Sequence, residues 1–285
     1  MHSMPPSTFF DNPRLLGARS VKRIELPQGG FQLEHPQALQ PYTRCIGDWL
    51  ERWATETPNQ VAFIHARSSG AATPPPASGW PSLTWLELRQ RVGAVAQALL
   101  DLNLPAERPV VVLSDNSLDA LVLTLAAQHV GRPSCMVSSG YSRLAGGDFS
   151  RLHAILERLD PALVHASDAK AYGAGLKGLA RAPLAVFSEG AGDVPGALAF
   201  DSLLAITETP AVQRAFEALT PDTTAKLLLT SGSTGHPKVV INTHRMLCAN
   251  QHMLAQTLPF LTVEKPVLVD WLPWSHTFGG NHNLH

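Results

Sequence analysis

The sequence predicts an α/β fold, with mostly parallel sheets flanked by helices, from three observations. Short unbroken apolar runs such as Val110-Val-Val-Leu113 have the length and branching of strands buried on both faces. Longer segments between them carry apolar residues at three- and four-residue spacing, as amphipathic helices do. The two kinds alternate along most of the chain, which is the pattern of parallel strands joined by crossover helices. No internal repeat is present.

In order, residues 1–40 are rich in Pro and Gly and read as an N-terminal extension on the surface, with one hairpin near Ser20-Val-Lys-Arg-Ile-Glu-Leu26. Residues 41–285 form the main domain. Residues 42–57 present Ile46, Trp49, Leu50 and Trp53 on one helical face, and Pro58 stops that helix. Val61-Ala-Phe-Ile64 is a strand, and residues 68–80, with three consecutive prolines, form a loop. Thr84 followed by Glu87 is a capping box, opening a helix that runs to about Leu102. Further strands are expected at 110–113, 133–137, 163–165 and 184–187, with helices at 115–130 and 149–159 and an Ala/Gly-rich helix between the last two strands. Residues 202–219 read as one helix, 245–258 as another, and Pro266-Val-Leu-Val-Asp270 as a strand.

The most informative stretch is Leu227-Leu-Leu-Thr-Ser-Gly-Ser-Thr-Gly-His-Pro-Lys-Val-Val-Ile241. Two apolar strands bracket a loop of four hydroxyls, Thr230, Ser231, Ser233 and Thr234, interleaved with Gly232 and Gly235. Glycines let a loop turn its N–H groups inward, hydroxyls add donors, and Lys238 adds a point charge. An oxygen-rich anion such as a phosphate chain uses all of these together. A flexible Gly/Ser linker is the bland alternative, but linkers are not usually clamped between buried strands. A Walker A loop is ruled out, because no Gly-Lys pair occurs and a strand follows instead of a helix.

Thr230-Ser-Gly-Ser-Thr-Gly-His-Pro-Lys238 resembles the phosphate-loop signature of the adenylate-forming (AMP-binding) superfamily, which includes acyl-CoA synthetases, peptide-synthetase adenylation domains and luciferases. Val239 stands where such enzymes usually carry Gly. Leu83-Thr-Trp-Leu-Glu-Leu88 and Leu125-Ala-Ala-Gln-His-Val-Gly-Arg-Pro133 resemble two earlier shared motifs, in the right order, although packing alone also explains them. The likeness runs from about Tyr42 onward, and it implies the N-terminal part of the large adenylate-forming domain, incomplete on its C-terminal side.

A second cluster, Trp271-Leu-Pro-Trp-Ser-His-Thr-Phe-Gly-Gly-Asn-His-Asn-Leu-His285, follows the 266–270 segment. Polar and aromatic groups just past a buried strand lie where α/β sheets bind ligands. Trp271, Trp274 and Phe278 supply flat apolar area, His276 donates or accepts a hydrogen bond, and Gly279-Gly280 lets a backbone or ligand pass close. Two other readings stay open: a metal site on His276, His282 and His285, whose spacing fits no zinc motif, and a plain aromatic core. By resemblance the run is the acyl-pocket motif, closest to feruloyl-CoA synthases, with Trp274, His276, Phe278, Gly279 and Gly280 lining an acid pocket. Ser275 departs from those enzymes, which usually have Asn there, as does Ser138-Ser-Gly-Tyr-Ser142, where they would carry Ser-Pro-Ala-Tyr-Ser.

The chemistry implied by the resemblance has two steps. A carboxylate attacks the α-phosphate of ATP, releasing pyrophosphate, and the coenzyme A thiol then displaces AMP from the acyl-adenylate. Lys238 and His276 would be the catalytic pair. Thr230, Ser231, Gly232, Ser233, Thr234, Gly235 and Lys238 would hold the nucleotide with Mg2+, neutralising charge on the leaving group. The acid expected is a planar hydroxycinnamate such as ferulate. The chain ends right after the acyl-pocket motif, without the later adenine, ribose, Mg2+ and hinge motifs, so it reads as an N-terminal fragment without turnover of its own. A non-catalytic nucleotide-binding protein derived from such a ligase is the rival, and a metal-dependent hydrolase a third reading.

The totals fit this reading. With 285 residues, 45% hydrophobic and 16% charged, the chain can bury a sizeable core. A net charge of −1 without a basic patch gives no support for nucleic acid or an anionic membrane as partner. Cys45, Cys135 and Cys248 are far apart and odd in number, which fits neither a disulfide framework nor a zinc site, and suggests a reducing, cytoplasmic setting.

Overall fold

The computed structural model describes residues 12–18, 20–66, 79–143, 147–230, 238–264 and 266–285. Its centre is a seven-stranded sheet ordered β11-β10-β6-β5-β7-β8-β9. The strands are β5 (Val110–Val112), β6 (Ser134–Met136), β7 (Leu163–Asp168), β8 (Leu184–Glu189), β9 (Leu198–Ala199), β10 (Thr224–Thr230) and β11 (Lys238–Thr243). All neighbours pair in parallel except β10 with β11, which are antiparallel. From β5 the chain crosses to β6 on one side and then returns to β7 on the other, as in doubly wound sheets.

Alternate residues of the central strands enter different cores, because successive side chains point to opposite faces. Val110, Val112, Met136, Leu163 and Val186 pack on one face against α2 (Trp85–Asp101), α3 (Leu118–His129) and α6 (Phe200–Leu204). Val111, Leu113, Cys135, Val137, Val164 and Phe187 pack on the other against α4 (Ser150–Leu159) and α5 (Ala169–Tyr172). Covering both faces is what turns these strands into unbroken apolar runs.

The helices begin where their caps dictate. For α1 (Ile46–Glu56), Asp48 accepts the Cys45 N–H, and the helix starts four residues later than its periodicity suggested. Thr84 and Glu87 form the expected capping box at α2, and Ser117 caps α3. The three residues before α2, β4 (Ser82–Thr84), pair antiparallel with β3 (Val61–Ile64). Upstream, β1 (Lys22–Glu25) and β2 (Phe31–Glu34) make the N-terminal hairpin, and Gly29 and Gly30 take φ of +82° and +88° at its turn.

Three expectations are corrected. Residues 202–219 are not one helix but two, α6 and α7 (Pro210–Glu217). Pro210 has no N–H for a continuing helix, and Thr209 caps the new one by accepting from the Ala211 N–H. The Ala/Gly-rich helix shrinks to α5 and a 3-10 turn at Gly173–Leu176. Residues 266–270 are not a strand. Strand backbone needs a partner for its polar groups, and among the described residues none pairs with it; Val267 and Val269 are 90% and 88% exposed. Helices α8 (His244–Thr257) and α9 (Phe260–Val263) precede this run.

Burial also sets the pH limits of the fold. It pushes the imidazoles of His129, His165 and His244 from 6.5 down to about 3, 4 and 4, helped at His129 and His244 by nearby arginines. It pushes the thiols of Cys45, Cys135 and Cys248 from 9.0 up to about 12, 12 and 11. The depressed imidazoles add stability that is complete above pH 6.5 and lost as pH falls toward their folded values. The raised thiols add stability that is complete below pH 9.0 and lost as pH rises toward theirs. Each group contributes a slope of about 1.4 kcal/mol per pH unit within its window. Urea midpoints measured at about pH 5, 7.5 and 10 should therefore peak at the middle value. A midpoint that holds or rises on going to the acid or alkaline value contradicts this assignment.

Candidate active site at the carboxyl edge of the sheet

Two segments meet the criteria for a site, and strand β10 is common to both. Strands β10 and β11 form a hairpin in which Leu227, Leu228 and Leu229 oppose Ile241, Val240 and Val239, and Thr230 opposes Lys238. Because β10 runs parallel to β6, the closed end of this hairpin lies at the carboxyl edge of the sheet. Thr230 and Lys238 are exposed there, and neither side chain makes an ion pair or hydrogen bond with a described residue. Ser231, Gly232, Ser233, Thr234 and Gly235 lie outside the described residues.

The second segment, residues 270–284, folds into a tight turn gripped from several sides. Asn116, in the loop after β5, donates from Nδ2 to the Leu272 carbonyl at 2.9 Å and accepts the Trp274 N–H at 3.0 Å. Asp270 Oδ1 accepts the Leu272 N–H at 3.0 Å and the Asn283 amide at 2.9 Å. Gln251 on α8 donates to the carbonyls of Asn281, at 2.7 Å, and His282, at 3.3 Å. From below, the Lys226 ammonium donates to the carbonyl of Gly280 at 2.8 Å and reaches that of Trp274 at 3.5 Å. Residues Phe278–Asn283 form a wide π-type turn, in which the Leu284 N–H returns to the Gly279 carbonyl at 3.0 Å.

Within this turn Trp274 is half-buried against the first core, while His276 and Phe278 face solvent. Phe278 stacks on His282, with centroids 4.4 Å apart and planes 12° from parallel. The two glycines differ from expectation. The close approach they allow is already taken by the chain itself: a Cβ on Gly279 would overlap the Pro273 carbonyl, and one on Gly280 would overlap the Trp274 carbonyl and Lys226 Nζ. Trp271 is 83% exposed and joins no core. Among the described residues, no group of three His, Cys, Asp or Glu converges as a metal site would.

Sequence reasoning missed Asn116 and Lys226. The first carried no signal, since an Asn before a helix is ordinary. The second was visible as a lone cation within Ala225-Lys-Leu-Leu-Leu229, an apolar run where a lysine is unexpected. Lys226 is fully buried, and burial lowers its ammonium from 10.5 to about 8. It still carries its proton at neutral pH, a donor to two carbonyls.

The described residues thus present a doubly wound α/β sheet with an exposed hairpin tip and an aromatic turn at the strand carboxyl ends, the edge at which such sheets bind ligands. The chain belongs to the AMP-binding enzyme family, whose model matches residues 50–284. Among curated proteins it is similar to the PKS-NRPS hybrid synthetase psoA of Aspergillus fumigatus, 24% identical over 80% of this chain and 5% of that one. It is also similar to the medium-chain-fatty-acid–[acyl-carrier-protein] ligase TtuA of Teredinibacter turnerae, 42% identical over 21% of this chain and 9% of that one. Among solved structures it resembles VinN, with TM-score 0.60 and 21% identity, covering 86% of this chain and 54% of VinN. It also resembles the Klebsiella oxytoca NpsA N-terminal subdomain in complex with 3-hydroxyanthranilyl-AMSN, with TM-score 0.53 and 19% identity over 76% of this chain and 45% of that one. The chain thus spans about half of VinN and a small part of the curated relatives.

The tight turn sets a test. Gly279→Ala forces a methyl group against main-chain oxygen, and Asn116→Ala removes both bonds to the Leu272–Trp274 segment. Each should cost about 1–3 kcal/mol in urea unfolding. A loss below about 0.5 kcal/mol for both, within the range of ordinary surface substitutions, means that the turn is not held as described.

Proposed function

We propose that this site belongs to an ATP-dependent, AMP-forming ligase that activates an aromatic, hydroxycinnamate-type carboxylic acid as an acyl-adenylate, with the coenzyme A thiol as acceptor. The observation that carries the reading is the shared strand. Thr230 and Lys238 sit at the tip of β10 and β11, and Lys226, four residues earlier on β10, holds the aromatic turn. At roughly 3.3 Å per residue, that puts the two half-sites about 13 Å apart along one rigid element.

The exposed hydroxyl of Thr230 and ammonium of Lys238 have the chemistry of an anion site and no described partner to compete for them. With Ser231, Gly232, Ser233, Thr234 and Gly235 they would hold the triphosphate, and Mg2+ would be carried largely by the phosphates. Bound Mg2+ supplies charge neutralisation on the pyrophosphate leaving group. Lys238 would share that work, and His276 would orient the acid carboxylate for in-line attack. Trp274 and Phe278 would form the acid-side wall, the half-buried Trp274 and the stacked Phe278 offering flat surfaces for a planar acid, while Gly279 and Gly280 would let the turn beneath them close. On this reading residues 1–40 are an extension, and 41–285 belong to the AMP-binding domain.

A second reading has its own support. A stretch of 59 residues is 42% identical to a medium-chain fatty acid ligase, so an alkyl acid is the competing substrate class. Pyrophosphate exchange by the complete enzyme should be at least about tenfold faster with ferulate than with a medium-chain fatty acid, which is about 1.4 kcal/mol of discrimination. The reverse order assigns the pocket to alkyl acids. Lys238→Ala should weaken MgATP binding at least about tenfold without shifting thermal stability. Unchanged affinity removes Lys238 from the nucleotide site.

A further inference from the structure

Lysines are rarely buried without a carboxylate, because an ammonium loses its hydration in the core. Lys226 is fully buried, and among the described residues no carboxylate pairs with it. Its acceptors are two main-chain oxygens, the Gly280 carbonyl at 2.8 Å and the Trp274 carbonyl at 3.5 Å. Gly280 is what makes the approach possible, since any side chain there would collide with Nζ. A cation inside an apolar strand, aimed at two carbonyls of one turn, and a glycine shaped to receive it form a matched pair.

We propose that Lys226 is a positioning residue that clamps the 274–280 turn onto β10 and so fixes the aromatic wall and His276 relative to the hairpin bearing Thr230 and Lys238. The role in acid binding rests on the function proposed above; the clamp itself does not. An ammonium suits the position because one head group bonds two carbonyls six residues apart in sequence, and charge strengthens each bond. A methionine would fill the volume and leave both oxygens unpaired.

The surroundings isolate its titration. Strand β6 sets the Cys135 thiol against Lys226, pushed up to about 12 by burial. His285 also faces it and is held well below 6.5 by burial, with the Lys226 charge adding to the effect. His244, at the start of α8, lies next to His285 and is lowered to about 4. On β11 the residue opposite is Asn242, which carries no charge. None of these groups changes charge between about pH 7 and 9, whereas Lys226, at about 8, does. Because burial lowers its value from 10.5 to about 8, loss of the proton above about 8 favours the closed turn over one that exposes the amine.

Hydrogen–deuterium exchange of the whole chain, corrected for the intrinsic pH dependence of the chemistry, tests this. Lys226→Met should speed exchange of the 272–284 amides by about tenfold at neutral pH, with the β5, β7 and β8 amides unchanged. In wild-type protein the 272–284 amides should gain protection relative to the sheet between about pH 7 and 9, and Lys226→Met should not show that gain. Unchanged exchange at 272–284, or faster exchange throughout the sheet, overturns the clamp. Should Lys226→Met fail to fold, the wild-type pH comparison decides on the same criteria. Affinities for ferulate and MgATP test the acid-binding role: Lys226→Met should lower the first by about tenfold and leave the second unchanged. Equal losses of both, or no loss, overturn that role. A wild type that binds no ferulate refutes the proposed acid and leaves the exchange result standing.

Discussion

The structure depends on the complete burial of strands β5 and β6. Val110, Val111, Val112, Cys135 and Ser134 have almost no exposed surface, and helices cover them on both faces. A sheet covered in this way has no face on which a polar ligand could sit. Chemistry is forced to the strand ends, where backbone groups run out of ladder partners and loops begin. Asn116 after β5, Ser139 after β6 and Thr230 at the tip of β10 all stand at that one edge. Ser139 and Arg143 both bond to Asp115, which ties the loops after β5 and β6 together.

On that edge, the antiparallel reversal from β10 to β11 has a particular effect. Every other connection in the sheet leaves the carboxyl edge through a helix and returns from the opposite end. The hairpin alone departs and comes back at the same edge, holding Thr230 opposite Lys238. Its two arms are anchored by ladder pairs from Leu227 with Ile241 to Thr230 with Lys238. The aromatic turn has no such ladder and is secured instead by individual side chains from the loop after β5, from β10 and β11, and from α8.

Much of this was legible in the sequence, for reasons that differ by region. Val110-Val-Val-Leu113 announced its strand because burial on both faces leaves no polar position, and Thr84 with Glu87 announced a helix start because the cap is local chemistry. Local signals also explain the errors. Residues 202–219 have continuous helical periodicity, and only the proline at 210 marks the break. Val267-Leu-Val269 has strand preference but, among the described residues, no pairing neighbour, and pairing is a property of two segments. In Leu125-Ala-Ala-Gln-His-Val-Gly-Arg-Pro133, Arg132 is a packing device, donating to the carbonyls of Leu104, Pro105 and Arg108. At the site, the types of residue were readable but not what holds them. Lys226 and Asn116 act on partners 48 to 158 positions away in the chain, and no local pattern encodes such a contact.

Three of the grips on the aromatic turn share one property. Asn116 holds the Leu272 carbonyl and the Trp274 N–H, Lys226 the carbonyls of Trp274 and Gly280, and Gln251 those of Asn281 and His282; all are main-chain atoms. Side chains at 275–278 take no part in these attachments. A lineage could therefore exchange them freely, retuning which acid is admitted while the scaffold beneath stays constant. Separating attachment from recognition in this way lets one framework diversify its substrates by single substitutions.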